Sequence, residues 1–253
     1  MRCPSCAFGR SWILADGRKK CRSCGVRYTP QRNLWDTYRI PDEAKRKLAE
    51  LFVLGVPAYR ARHVLPCSLR TAEKFFRDIR TLLAAAELAA PPLAGALELD
   101  EALFGGRRTG KRGWGAAGKI CVFGIYKRNG EVRVTVVPNR RHETLHRLIQ
   151  EQTTPGSLYF TDDYHAYAGL RVRGEHVTVR KERGRPVGRD HVNGIEGFWS
   201  YAKHWLHTYR GVPKNLFAAY LGEIAYRYNH RDRDLVPVIA ELLRGARREK
   251  RTG

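Results

Sequence analysis

The chain is short of acid. Against 47 lysines and arginines it has only 25 aspartates and glutamates, giving a formal charge of +22 over 253 residues. That imbalance argues for a polyanionic partner. Long apolar runs are missing too, since none approaches the ~18 residues of a membrane span. Met1-Arg2 runs straight into Cys3 with no apolar stretch between. Neither membrane insertion nor secretion is therefore expected. Internal repeats and low-complexity tracts are absent, apart from a basic stretch from Arg244 to Arg251 that reads as a frayed helix end or tail. Disorder is excluded by composition: 43% of the residues are hydrophobic, enough for one large domain or two to three small ones. The default is a cytosolic protein that meets nucleic acid.

The excess charge covers both halves, +10 over residues 1–96 and +12 over residues 97–253. Between them, Ala89-Ala90-Pro91-Pro92 ends a helical pattern and an extended, alternating segment begins. A weaker boundary falls at Thr29-Pro30-Gln31. The domains expected are 1–30, 31–96 and 97–232, with a basic C-terminal helix or tail over 233–253.

Cys3-Pro4-Ser5-Cys6 and Cys21-Arg22-Ser23-Cys24 stand 14 residues apart, close to the spacing of a four-thiolate zinc site. Each pair occupies a tight turn, and a segment of about 30 residues cannot fold on apolar burial alone. A structural zinc ribbon is expected, with all four positions filled. A thioredoxin-like redox pair fits less well, because it uses one pair on a βαβ pattern. Cys67 and Cys121 lie in apolar surroundings and read as packed thiols.

From Pro41 to about Ala86 the periodicity is helical. Ala44, Leu48, Leu51 and Phe52 make one stripe before Gly55-Val56-Pro57. A short helix follows from Ala58 to Val64. After Pro66, Ser68 can cap a third helix with an apolar stripe of Leu69, Ala72, Phe75, Phe76 and Ile79, while Arg70, Thr71, Lys74 and Arg77 point away. The outline is a helix-turn-helix with a basic third helix, and DNA is the expected partner. A generic three-helix linker with solvated charges is the competing reading.

Beyond residue 97, strands are expected over Leu97–Glu101, Ile120–Tyr126 and Glu131–Val137, the last two joined through the hairpin signal Asn129-Gly130. His142–Gln152 reads as a helix and Ser157–Thr161 as a fourth strand ending at Asp162-Asp163. Gly174–Arg180 is a candidate fifth strand. Helices over Asn193–Tyr209 and Lys214–Tyr228 complete an α/β layer arrangement.

This order carries a resemblance. Cys3 to Cys24, Glu98-Leu99-Asp100-Glu101, Tyr159 to Tyr167 and, most specifically, His191-Val192-Asn193-Gly194-Ile195-Glu196-Gly197-Phe198-Trp199-Ser200-Tyr201-Ala202-Lys203 resemble the DDE transposases of bacterial insertion sequences, in their ISXO-type group. The likeness runs from residue 1 to about 232. It implies a ribonuclease H-like mixed sheet with flanking helices, preceded by a zinc ribbon and a helix-turn-helix segment. The implied function is a transposase that binds the terminal repeats of its element, cuts DNA with metal and transfers the strand to a target. A homo-oligomer on double-stranded DNA follows from the need to join two ends, and so does a cytoplasmic, nucleoid-associated location. No membrane and no small-molecule substrate are implied.

The residues make chemical sense for that reaction. Two divalent ions about 4 Å apart need carboxylates converging from different elements, and Asp100, Asp162 and Glu196 are such a set, to be loaded with Mg²⁺ or Mn²⁺. Lys203, seven residues after Glu196, falls two turns along the same helix face and is placed to hold a DNA phosphate. Two departures keep alternatives open. Asp163 stands beside Asp162, and strand alternation sends only one of them to the metal side; Asp162 is preferred. Asn193 lies one turn before Glu196, and Glu196 is preferred because a hard cation favours a charged oxygen. Arg180, Lys181, Arg183 and Arg185 precede that helix and suit an entering DNA strand. A non-catalytic DNA-binding regulator or inactive copy is the alternative from another class.

Three other stretches are tempting. His142-Glu143-Thr144-Leu145-His146 matches the H-E-x-x-H zinc-protease motif, but follows Pro138-Asn139-Arg140-Arg141 and lacks a persuasive third ligand. Gly113 to Lys119 imitates a phosphate loop, yet Ile120 replaces the required Ser or Thr and leads into a strand. Residues 105–119 read instead as a basic loop beside DNA backbone or solvent. Trp199, Trp205 and Tyr209 recur at helical spacing and read mainly as core, with base stacking the minority role.

Overall fold

The computed structural model describes residues 2–30, 33–105, 118–128, 130–179 and 191–247. Strands β1 (Ser11–Ile13), β2 (Lys19–Cys21) and β3 (Arg27–Tyr28) form a small antiparallel sheet in chain order. The two cysteine pairs lie in matching turns of this ribbon. Ala7 accepts φ 56° four residues after Cys3, and Gly25 takes φ 72° four residues after Cys21. Their N–H groups donate back to the carbonyls of Cys3 (2.9 Å) and Cys21 (3.2 Å).

Five helices build the next unit: α1 (Leu34–Thr37), α2 (Asp42–Val53), α3 (Ala58–Ala61), α4 (Leu69–Leu88) and, from the far end of the chain, α8 (Leu235–Gly245). The Ser68 hydroxyl accepts the Thr71 N–H at 3.1 Å, so the expected cap starts α4. Ala72, Phe75, Phe76 and Ile79 are buried as their spacing predicts. Their partners include Leu235, Ile239 and Leu243 of α8, so the stretch read as a C-terminal helix or tail closes the core of the helical unit. The Leu34 N–H donates to the Ala246 carbonyl at 2.9 Å, tying the chain's end to α1.

The larger layer is a five-stranded mixed sheet in the order β6-β5-β4-β7-β8. Its strands are β4 (Ala96–Phe104), β5 (Ile120–Lys127), β6 (Val132–Val137), β7 (Leu158–Thr161) and β8 (Glu175–Thr178). The first three form an antiparallel meander, and β7 and β8 add in parallel on the other side of β4. One face packs on α5 (His142–Gln152), the other on α6 (Asn193–His207) and α7 (Lys214–Asn229). This is the ribonuclease H-like α/β class expected. Because β4 is central and covered on both sides, most of its residues are buried, Glu98 and Glu101 included, while Asp100 is half-buried.

The proline boundary at Pro91-Pro92 separates segments of chain but not packed units. α4 continues past the helical core and lies against α7, where Ala84 touches Gly222 so closely that a Cβ there would come within 2.5 Å of the Ala84 methyl carbon. Beside this contact, Glu223 of α7 is fully buried and takes Arg80 of α4 at 2.6 Å and Arg227 at 2.8 Å. Arg227 also donates to the carbonyls of Phe52 and Val53 at the end of α2 (2.7 and 3.0 Å).

Candidate active site and metal centre

The register of β4 against β7 organises the site. Glu98 pairs with Phe160, and carrying the pairing two residues further sets Asp100 beside Asp162 just past the end of β7. Strand alternation puts Asp100 on the face covered by α6, and Asp162 directly follows the last residue of β7. Asp163 is exposed, in the bend that follows the strand, and lines the same groove as Asp162. The Asp162 carboxylate also accepts the Tyr164 N–H at 3.1 Å, which turns the chain sharply after the strand.

Helix α6 crosses this face close to the backbone. Ile195 N–H donates to Glu98 at 3.0 Å, so a buried strand carboxylate caps the helix start. Glu98 also takes Arg128 at 2.9 Å, and the Arg128 guanidinium lies 3.5 Å from the centre of the Phe160 ring. One turn on, the Trp199 indole N–H donates to Asp100 at 2.9 Å. Glu196 and Lys203 flank Trp199 at three and four residues and are both exposed, on the same helix side. The Lys203 ammonium lies 5.7 Å from the ring of Phe104, further along the β4 face that carries Asp100.

The opposite face of β4 holds an acid that the sequence reading did not single out. Glu101 is 7% exposed, accepts the Tyr167 hydroxyl and lies 3.8 Å from Arg140. Burial, reinforced by the nearby charges of Asp100 and Asp162, pushes its carboxyl up to about 7 against the opposing pull of Tyr167 and Arg140. This end of β4 is therefore a region of concentrated negative charge. Glu98 was equally unmarked as a cap. Its signal was an acid inside a largely apolar strand, which requires a buried partner. Among the described residues, the cysteines alone bring three or more potential metal-ligand atoms mutually within 4.8 Å; Asp100, Asp162 and Glu196 do not form such a group.

The cysteine quartet fits zinc. Cys3 and Cys24 sulfurs are 3.6 Å apart and those of Cys6 and Cys21 3.5 Å. Tetrahedral Zn–S bonds of about 2.3 Å imply sulfur separations of about 3.8 Å. The amides of Cys24 and Ser23 facing Cys21 lower its thiol to about 6, favouring the thiolate a metal binds.

On α4, Arg70 and Arg77 are exposed, as expected for groups meeting a polyanion. Thr71 is engaged by the Ser68 hydroxyl at 2.9 Å, and Lys74 by Asp78 at 2.6 Å and the Tyr38 hydroxyl at 3.1 Å. Arg180, Lys181, Arg183 and Arg185 lie outside the described residues, as do Asn129 and the heart of the basic loop, residues 106–117. Beside Asp162 an open groove of about 390 Å³ is lined by His165, Arg171 and His176.

The protease-like motif does not assemble a site. His142 opens α5, and its ring stacks on His146 at 3.8 Å instead of splaying around an ion. No third ligand joins them among the described residues. Ile120 begins a strand, so the phosphate-loop pattern lacks its helix.

The molecule is thus a mixed α/β sheet with flanking helices, with acids within β4 and just past β7 and a helix held to the central strand. Residues 92–229 match the ISXO2-like transposase domain, and the chain belongs to that family. It is 30% identical over 118 residues to an uncharacterized transposase-like protein of Haemophilus influenzae, covering 46% of this chain and 96% of that protein. Among the described residues no helix is long and apolar enough to cross a membrane.

Proposed function

We propose that this transposase binds the terminal repeats of an insertion sequence through the ribbon and the exposed arginines of α4, and cuts and joins DNA at Asp100, Asp162 and Glu196. The observation that supports the reading is the parallel pairing of Glu98 with Phe160, which, continued by two residues, would bring Asp100 beside Asp162. Hard oxygen donors at that place suit Mg²⁺ or Mn²⁺. Held there by Asp100, Asp162 and Glu196, such ions would supply activation of an attacking oxygen and stabilisation of the leaving oxygen, the chemistry that strand cleavage and strand transfer both need.

The protein's part is placement. The central strand, the end of its parallel neighbour and one helix carry the acids, and Lys203 on the same helix side offers a cation for the phosphate flanking the scissile bond. Arg70 and Arg77 engage the DNA backbone, and Arg180, Lys181, Arg183 and Arg185 serve the strand entering the site. Thr71 and Lys74 contribute chiefly through the geometry of α4. Zinc at Cys3, Cys6, Cys21 and Cys24 holds the ribbon folded. A homo-oligomer brings two element ends to one joining event. The deciding experiment pairs gel-shift and cleavage assays on element-end DNA: Asp100→Asn binds like wild type and does not cut. Specific binding by a wild-type chain that never cuts in Mg²⁺ or Mn²⁺ identifies a non-catalytic regulator or an inactive copy instead.

A further inference from the structure

We infer that Trp199 is a positioning residue for the metal-binding carboxylate of Asp100; the inference rests on the catalytic reading above and assigns a role to a side chain outside the acid set. Trp199 is 4% exposed, so its indole N–H requires a protein acceptor, and Asp100 provides it at 2.9 Å. The bond fixes one carboxylate oxygen and with it the carboxylate plane, in the way that hydrogen-bonded outer residues orient metal ligands elsewhere.

The surrounding residues hold the indole in place. Gly124 on β5 pairs in register with Asp100, and a Cβ there would stand 2.6 Å from two carbons of the indole ring. The absent side chain leaves the space that the ring occupies. Phe104, also on β4, meets the indole edge-on at 5.9 Å between ring centres. Trp199 thereby sets how close α6 comes to β4, and Glu196 and Lys203 are one turn either side of it. A core tryptophan with no such role would need neither an acid acceptor at the reacting end of the strand nor a glycine opposite that acid.

The test uses the full-length, zinc-loaded protein and Mn²⁺ as probe, with binding followed by electron paramagnetic resonance independently of DNA cleavage. Asp100→Asn identifies the signal belonging to the site. Trp199→Phe, which keeps the ring packing and removes the donor, is expected to weaken that binding about 10-fold. It should also move the Mn²⁺ midpoint of cleavage by the same factor while the rate at saturating metal recovers. Unchanged Mn²⁺ affinity in a folded Trp199→Phe protein overturns the inference. If that variant does not fold, the wild-type chain labelled at its tryptophan indole nitrogens decides. One indole N–H resonance should shift with Mg²⁺ in wild type and not in Asp100→Asn, and the absence of any such resonance overturns the role. Site-specific Mn²⁺ binding weakened by Trp199→Phe in a protein that cuts no DNA would sink the catalytic reading while the positioning role stands. No Mn²⁺ binding sensitive to Asp100→Asn removes both.

Discussion

The carboxylate of Glu98, in the middle of the central strand, accepts the backbone N–H of Ile195 in the first turn of α6 at 3.0 Å. The same carboxylate takes Arg128 at 2.9 Å and lies 3.6 Å from His191. A single buried acid thus joins the strand that carries Asp100 to the helix that carries Glu196. Glu98→Ala leaves Arg128 and a helix-terminal N–H without their acceptor and should cost about 3–5 kcal/mol. Glu98→Gln keeps an acceptor for Ile195 and should cost less. Urea unfolding of both variants checks the order, and equal losses would mean that the helix cap contributes nothing beyond the ion pair.

Gly194 is a second point of close approach. A Cβ there would collide with the Tyr126 ring and come within 2.9 Å of the Glu98 carboxylate. Gly194→Ala should therefore lift the start of α6 off the sheet and destabilise by about 1–3 kcal/mol, the usual range for overpacking. Gly197, on the same helix with nothing within 4 Å of its absent Cβ, is the control. Gly197→Ala should be neutral or slightly stabilising in a thermal melt.

The helical unit and the sheet should unfold together. Glu223 is fully buried between Arg80 and Arg227, so Glu223→Ala strands two cations and should cost about 3–5 kcal/mol. Truncation after residue 232 removes Leu235, Ile239 and Leu243 from the core they share with Phe75 and Phe76. The shortened chain should lose the cooperative transition of the helical unit, seen as an early, separate phase by circular dichroism. A single unchanged transition would contradict this packing.

Thiol chemistry distinguishes the six cysteines. Burial pushes Cys121 up to about 11 and raises Cys67 as well. At pH 8 a thiol of pKa 11 is ionised to roughly one part in a thousand. A chelator should release one zinc per chain and unfold the ribbon, so that Cys3, Cys6, Cys21 and Cys24 react as ordinary exposed thiols while Cys67 and Cys121 lag. Raising the pH toward 11 should speed Cys121 alkylation as its thiolate forms. Fast labelling of Cys121 at pH 8 would show that its surroundings are open to water.

Much of this was legible in sequence because it is local. Helical spacing marked Phe75, Phe76 and Ile79, hydroxyl capping marked Ser68, and the order of strands around Asp100 and Asp162 marked the sheet. What could not be read depends on contacts between distant segments. Nothing near Leu235 or Leu243 says that α8 returns to α4, because its apolar stripe fits any apolar surface. The double proline ends a helix in the chain, yet only the fold shows α4 running on to meet Gly222 and Glu223. Glu98 and Glu101 are two strand acids alike in sequence. Alternation sends one to cap α6 and the other to Tyr167, and their partners lie 97 and 66 residues away.

The most direct measurement is end mapping of the cleavage product on DNA bearing the element's own termini, with Mg²⁺, comparing wild type with Glu196→Gln. The expected result is a nick at the element boundary that leaves a 3′-hydroxyl, absent in the variant although it still binds the same DNA. A boundary nick that survives Glu196→Gln undiminished would contradict the assignment of Glu196 as the third acid of the site.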